Sequence, residues 1–198
     1  MLSNFITSIK MFLVMTIITG VIYPVSVWAL SQTLFNEKAN GSLIMKENKV
    51  IGSKLIGQSF TQDKYFQGRL SAVNYSITSK EDYDKGNYVY TSGGTNFGPT
   101  NKKLKESIED SIKNLKDKNQ NNDKIPLELV TLSASGLDPD ISVKAALWQV
   151  PRIAKVRNIY QDKLREIILN NTEKPFLGFI GDERVNVLLL NIELDKLN

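Results

Sequence analysis

The sequence predicts an α+β domain outside the cytoplasm, anchored by one N-terminal transmembrane helix. Among 25 Lys and Arg and 21 Asp and Glu in 198 residues, only Lys10 precedes Glu37. The remainder mixes apolar pieces punctuated by turns with helical patterns, which is typical of an α+β domain. We therefore expect a short cytoplasmic tail over residues 1–10, a transmembrane helix over 11–36 and an extracytoplasmic domain over 37–198.

The uncharged segment 11–36 is the basis for the anchor. Its 26 residues would span about 39 Å as a helix, more than a bilayer core of about 30 Å requires. A cleavable signal peptide is the alternative, because residues 27–29 (VWA) resemble a cleavage site. The apolar region of a signal peptide, however, runs to only about 15 residues, so the length favours an anchor.

Charges at the two ends of the segment indicate its orientation. Lys10 and the N-terminal amine lie on one side, whereas Glu37 and Lys38 cancel on the other. The positive-inside rule then places the N-terminus in the cytoplasm and the domain outside.

Small residues and a proline interrupt the apolar helix. Thr16 and Gly20 are four residues apart, so they share a face on which a neighbouring helix could approach closely. Pro24 leaves the carbonyl of Gly20 without its usual helical donor. We predict that Thr16, Gly20 and Pro24 pack against a partner helix; a solitary anchor with a tolerated proline is the alternative.

The first half of the domain predicts strands and an irregular segment. Short apolar pieces separated by turn residues over 40–60 indicate hairpin-like strands. Residues 65–97 are rich in Tyr, Ser, Asn, Gly and Thr without periodicity, so we expect a long irregular segment. Residues 126–132 are a plausible strand.

Helices are predicted mainly in the second half of the domain. Apolar residues at helical spacing indicate an amphipathic helix over 102–118. Ser142 is a good N-cap for a helix that Pro151 breaks or kinks. Two further helical patterns cover 162–170 and 185–192; a strand over 185–190 remains an alternative for the last one.

The composition excludes much chemistry. With neither Cys nor His, the chain can form no thiol nucleophile, Ser-His-Asp triad or zinc finger. The interspersed charges, net +4, do not form the basic stripe that nucleic acids require. Residues 93–100 have P-loop-like glycine spacing, but Pro99 stands where the lysine belongs, so we expect a turn-rich loop. We predict no catalytic residue and no metal ligand.

Two polar segments remain as candidates. Ser135, Asp138 and Asp140 concentrate hydroxyl and carboxyl groups; capping of the next helix explains the carboxylates best, and a membrane-tethered hydrolase is the alternative function. Gln149 and Arg152 flank Pro151, where they could present an amide and a guanidinium to a ligand or partner. A kinked helix with polar residues facing water is equally consistent with that segment.

Eight strings occur in order along the chain: TGVIYP (19–24), ANGSLI (39–44), GSKLIGQSF (52–60), YFQGR (65–69), GPTN (98–101), SGLDP (135–139), QVPR (149–152) and RVNV (184–187). Together they resemble the C subunit of the Kdp potassium-transporting P-type ATPase, and the resemblance runs from end to end. There are two departures. Asp140 stands where family members often carry His, and residues 80–90 look like added length.

The resemblance implies an accessory subunit of a high-affinity, ATP-driven potassium import complex (Kdp) in the bacterial cell (inner) membrane. Its partners would be the potassium-translocating A subunit, the ATP-hydrolysing B subunit and the small F subunit. ATP and potassium would be bound by the complex, and the chain would act as a catalytic chaperone that raises the ATP affinity of the ATP-hydrolysing partner. Because a domain outside the membrane cannot meet cytoplasmic ATP, we expect this effect to pass through helix packing around Gly20 and Pro24.

Overall fold

A computed structural model describes residues 2–88, 90–119 and 123–197. The chain divides into two compact units, Met1–Leu43 and Ile44–Asn198. The first unit is dominated by one long helix, and the second contains the hydrophobic core. Each unit is described separately below.

One continuous apolar helix, Leu2–Leu34, forms most of the first unit. It consists of α1 (Leu2–Ile17), a π-helical turn (Ile18–Ile22) and α2 (Tyr23–Leu34), followed by the short α3 (Asn36–Ala39). Its 33 residues correspond to about 50 Å, and its mean hydropathy of 2.0 makes it long and apolar enough to cross a membrane. It begins earlier than the predicted span because residues 2–9 continue the apolar pattern. None of the described residues of α1 and α2 is buried.

The predicted hairpin opens the second part of the chain. Strands β1 (Leu43–Lys46) and β2 (Lys49–Ser53) pair in a two-stranded sheet. The two residues between them, Glu47 and Asn48, have φ values of 50° and 61°. Positive φ at both central residues is the conformation of a type I′ turn, whose twist matches that of the paired strands. The turn residues therefore set the register of this hairpin.

Residues 54–101 are largely irregular, as expected for 65–97. They contain a 3-10 turn at Asn74–Ser76 and the short helix α4 (Lys80–Asp84). Ser79 caps α4 by accepting a hydrogen bond from the Asp82 amide. The segment that looked like added length thus includes a helical turn.

The core of the second unit lies between helices and a small antiparallel sheet. Helices α7 (Val143–Arg157) and α8 (Gln161–Asn170) pack together, and α9 (Val187–Asp195) packs on α8. The sheet has the order β3 (Asp140–Ser142), β5 (Arg184–Asn186), β4 (Thr172–Glu173). Fully buried residues from all of these layers, except β4, meet in the core, among them Ile141, Val150, Ile153, Leu164, Ile168, Val185, Leu190 and Leu194.

The predicted helices of the second unit are confirmed. Helix α5 (Lys102–Asn119) matches the amphipathic pattern. Helix α7 begins after Ser142, whose Oγ accepts from the Ala145 amide, and it continues through Pro151 without a break. Asn158, with φ of 55°, ends it in the left-handed conformation that favours asparagine at this position.

Two local predictions required correction. The strand expected over 126–132 is wrong, because Leu127–Val130 form a helical turn, α6. Pro126 precedes this turn, and only Leu132 makes a bridge, to Leu70. The final apolar run combines both alternatives. It starts as strand β5 and becomes α9 where the Asn186 side chain accepts from the Leu189 amide as an N-cap.

Candidate functional site

The predicted packing face lies on the long helix. A Cβ placed on Gly20 would lie 4.0 Å from Cγ2 of Thr16 and would meet nothing else within that distance outside the backbone of the helix. Thr16 and Gly20 therefore lie side by side on an open surface. Such a pair of small residues lets a second helix approach closely.

A π-helical turn coincides with this face. The Tyr23 amide donates to the carbonyl of Ile18, five residues earlier, which is the hydrogen-bond pattern of a π-helix. Pro24 follows directly and has no N–H to donate to the carbonyl of Gly20, so the regular hydrogen-bond ladder is also interrupted here. The sequence predicted a disturbed hydrogen-bond ladder near Gly20, and the structure places the π-turn there. Single π-turns inside α-helices occur frequently at functional sites.

Hydroxyl groups near this turn are satisfied within the helix. Thr19 Oγ1 donates to the Met15 carbonyl at 2.7 Å, and Ser26 Oγ donates to the Ile22 carbonyl at 2.8 Å. Bonds of this kind to the preceding turn bend a helix slightly. This face can therefore offer close packing at Gly20 rather than hydrogen bonds from these two hydroxyls.

In the second unit, Arg152 is the centre of a buried polar junction. The residue is 4% exposed. Its Nε donates to Asn119 Oδ1 at 2.9 Å, and Nη2 donates to Gln149 Oε1 at 2.8 Å. Its Nη1 donates to the carbonyls of Asp63 and Tyr65. One guanidinium thus joins α5, α7 and the irregular segment.

Gln149 is 2% exposed and holds the backbone of residue 67. Its Oε1 accepts from the Gln67 amide at 2.8 Å, and its Nε2 donates to the Gln67 carbonyl at 3.0 Å. Asn191 does the same for Phe66, with both distances at 2.9 Å. Two side-chain amides therefore provide the backbone hydrogen bonds of residues 66 and 67 that a neighbouring strand would provide in a sheet.

Burial lowers the pKa of Arg152 to about 10, partly opposed by the nearby Asp63 carboxylate. The guanidinium still carries its charge at neutral pH. Arg152 also lines a cleft of about 510 Å³, together with Asp63, Lys118 and Lys155. Gln149 is not among the residues that line this cleft. Contact of either residue with a ligand or partner stays a prediction.

Asp138 and Asp140 do not cap helix α7, so this expectation was wrong. The cap is Ser142, because its own hydroxyl already accepts from the first turn. Asp138 instead forms an ion pair with Arg69, with 3.0 Å between Oδ2 and Nη1. Asp140 pairs with Arg184, with 3.1 Å between Oδ2 and Nε.

Asp140 also accepts a hydrogen bond from Asn186 Nδ2 at 3.2 Å. Burial raises the pKa of Asp140, and the positive charge of Arg184 opposes this rise. The hydroxyl of Ser135 lies 3.2 Å from that of Ser133 and accepts from the Leu137 amide. Each of these groups thus has a role within a turn or between strands.

Residues 93–98 form an irregular loop, as predicted for the glycine-rich segment. The Gly93 amide donates to the Ser135 carbonyl at 2.8 Å, and a Cβ on Gly94 would lie 2.9 Å from the Ala134 carbonyl oxygen. The glycines therefore allow two loops to pack closely. Within the described ranges we find no cluster of three or more Asp and Glu residues placed to hold a metal ion.

Sequence reasoning missed Asn119 and Asn191, the partners that complete the buried network. A signal for Asn191 exists: it is the one polar residue in the run 187–192. An amide at such a position needs a partner if it is buried. For Asn119, at the end of an amphipathic helix, we find no comparable signal.

Comparison with known proteins gives a consistent result along the chain. Residues 5–196 match the family model described as "KdpC: K+-transporting ATPase, c chain". The Potassium-transporting ATPase KdpC subunit of Rhodopseudomonas palustris (strain BisB18) is 44% identical over 201 residues, which cover 98% of each chain. Potassium-transporting ATPase KdpC subunit 2 of Staphylococcus aureus (strain Mu50 / ATCC 700699) is 47% identical over 190 residues, 96% of this chain and 97% of the relative. The corresponding protein of Clostridioides difficile (strain 630) is 44% identical over 193 residues, 93% of each chain.

Proposed function

The chain belongs to the KdpC family, the c chain of K+-transporting ATPases, and on that premise we propose how it serves the complex of which it is an accessory subunit. In this proposal it is a single-span, non-catalytic protein that assembles with the potassium-translocating, the ATP-hydrolysing and the small F subunits. The observation that carries the proposal is the exposed apolar helix Leu2–Leu34, with its π-turn at the small-residue face.

The length of the helix supports a bilayer span. At about 50 Å it exceeds a hydrocarbon core of about 30 Å, so the segment after Lys10 is sufficient to cross. Lys10 can then reach the interface through its flexible side chain. With the N-terminal amine it forms the more positive flank, which favours a cytoplasmic N-terminus and a domain outside.

The helix also supports partner packing. Hydrocarbon chains solvate Leu and Phe as well as protein does, so helices associate in membranes chiefly where small residues permit close contact. Gly20 and Thr16 supply such a contact, and the π-turn before Pro24 gives it a local shape that a regular helix lacks. We propose that this face receives a helix of another subunit.

A domain outside the membrane would reach ATP-hydrolysing machinery only indirectly. Any increase in ATP affinity would then be a coupling free energy passed through helix packing, typically about 1–3 kcal/mol, or roughly 5- to 150-fold in affinity. The buried positions of Gln149 and Arg152 fit this indirect role, because both hold the domain together. Direct contact of Gln149 with a partner would require the domain to open, whereas Arg152 could be reached only through the cleft that it lines.

Enlarging Gly20 tests the packing proposal. Gly20→Leu should reduce recovery of the intact complex and weaken its apparent ATP affinity by about fivefold or more. Gly20→Ala should have a smaller effect, since its Cβ would meet only Thr16 at an ordinary distance. The measurements are co-purification of the subunits and ATP dependence of potassium-stimulated hydrolysis.

Ala29→Leu is the matched control. Residue 29 lies nine positions further along the helix, and after the π-turn and the regular turns of α2 it faces a different side from Gly20. The Ala29→Leu substitution enlarges a small residue in the same apolar helix but leaves the face formed by Thr16 and Gly20 unchanged. Normal assembly and ATP affinity in Gly20→Leu would contradict the proposal, as would an equal loss in both variants.

A further inference from the structure

A second apolar surface projects from the domain between strands β4 and β5. Residues 176–180, here named the apolar tip, carry Phe176, Leu177, Phe179 and Ile180 around Gly178. These four side chains are between 51% and 76% exposed. Groups of large apolar side chains on a projecting turn commonly mark an interaction surface.

The backbone of the apolar tip is already ordered for binding. Phe176 and Ile180 exchange both backbone hydrogen bonds at 2.9 Å. Leu177, Gly178 and Gly181 have φ values of 55°, 83° and 91°, so the chain reverses sharply here. A turn that is fixed before binding loses little conformational freedom on contact.

The apolar tip is followed within a few residues by strand β5, which enters the core. Arg184, a few residues after it, pairs with Glu173 at 2.9 Å and with Asp140 at 3.1 Å across the three strands. The next residue, Val185, is fully buried. The tip is therefore joined to the core by a short connection.

Charges beside the apolar tip favour a protein over a lipid surface. Glu173 is neutralised by Arg184, which leaves Lys174, Asp182 and Glu183 as flanking charges, a net charge of −1. Segments that enter the interface of an anionic bilayer carry Lys and Arg instead, because the surface potential is negative. An apolar recess with cationic side chains at its rim complements the tip better.

We propose that the apolar tip inserts into an apolar recess with a basic rim on another subunit of the ATPase. This inference rests on the proposed function, since it requires assembly with those subunits. It adds a second contact surface, formed by the domain, to the one assigned to the long helix.

A fluorescent label at the apolar tip tests this placement directly. Because the chain has no Cys, Phe179→Cys introduces a unique thiol that can be labelled with bimane, whose emission shifts to the blue in apolar surroundings. We expect no shift for the full chain alone in liposomes of anionic phospholipid, and a blue shift after assembly with the other subunits. A shift in liposomes alone would indicate lipid as the occupant, and no shift in either state would indicate an exposed tip; either result overturns the inference.

Substitutions at the apolar tip test its contribution to assembly. In the double variant Leu177→Asn and Phe179→Ser, asparagine suits the positive φ of residue 177, so the turn should persist. We expect at least about tenfold weaker retention of the other subunits, since anchors at interface centres commonly contribute that much. Leu169→Gln is the control, because Leu169 on α8 is also a largely exposed apolar residue.

The result separates the two proposals. If the wild-type chain fails to retain other ATPase subunits, the proposed function fails and the inference falls with it. If the wild type retains them and the double variant does so equally well, only the inference on the apolar tip is wrong. Near-ultraviolet circular dichroism of the free chains establishes that the variant has kept its fold.

Discussion

Replacing Arg152 by methionine should destabilise the domain by about 2–4 kcal/mol. Methionine has a similar length but cannot donate, so Asn119 Oδ1 loses its contact with Nε, and two backbone carbonyls lose theirs with Nη1. Asp63 is exposed, so water can replace the donor at its carbonyl, whereas Asn119 is buried, so water cannot readily replace the donor at its Oδ1. Relief of the buried charge opposes part of the loss.

Gln149 limits the size of the effect. Its Oε1 loses Arg152 but still accepts from the Gln67 amide at 2.8 Å. The amide clamp on residue 67 therefore survives, and the lost hydrogen bonds are those to Asn119 Oδ1 and to the carbonyls of Asp63 and Tyr65. An Arg152→Lys variant should fall between wild type and Arg152→Met, because one ammonium group keeps the charge but cannot reach all four acceptors in the guanidinium geometry.

The assay is urea unfolding of the full chain in detergent, followed by near-ultraviolet circular dichroism, to which the buried Trp148 contributes. This residue is buried one turn before Arg152 on α7. Arg165→Met on the exposed side of α8 is the control, and it should change stability by no more than about 0.5 kcal/mol. A loss below about 1 kcal/mol in Arg152→Met would refute the structural role. If the stability of Arg152→Met were nearly unchanged but ATP hydrolysis by the complex were lost, Arg152 would instead be a contact residue.

Two further predictions concern charge and orientation. The raised pKa of Asp140 means that the folded state holds its proton more tightly. Its contribution to stability is therefore present below the ordinary value of 3.8 and is lost as pH rises through the raised value. Relative to wild type, Asp140→Asn should accordingly become more stable as pH rises from about 3.5 to 6; a difference that does not vary with pH would contradict this cause. For orientation, the exposed Tyr160→Cys should react with a membrane-impermeant thiol reagent in intact cells, and labelling only after cell lysis would reverse the proposed topology.

Local patterns in the sequence predicted most elements of the fold. The hairpin follows from two short apolar pieces on either side of the polar stretch 46–49, which contains the turn residues Glu47 and Asn48. Helix α7 follows from Ser142, which can cap its own first turn. These signals involve residues within a few positions of one another, so they can be read without knowing what packs nearby. The same holds for the apolar helix, which is predicted from the length and apolar composition of one uncharged segment.

The buried polar junction could not be predicted in this way. Gln149 and Arg152 looked like exposed candidates at a kink, but their partners at residues 63–67 lie more than 80 positions away. The close approach at Gly57 is similar, since a Cβ there would lie 2.5 Å from the Asp138 carbonyl oxygen. Such contacts depend on where the irregular segment lies on the core, and its sequence has no periodic pattern from which this position can be predicted.

The distribution of apolar surface gives this chain two separable tasks. In the domain, apolar side chains of α7, α8, α9 and the sheet cover one another, so its fold has an internal source of stability. The helix Leu2–Leu34 and the apolar tip instead keep large apolar side chains exposed on their own chain. Burial of those surfaces by lipid or by other subunits would add free energy to assembly without being required for the core. Variants at Gly20 or at the tip should therefore impair the complex while the domain stays folded, whereas variants at Arg152 should unfold the domain first.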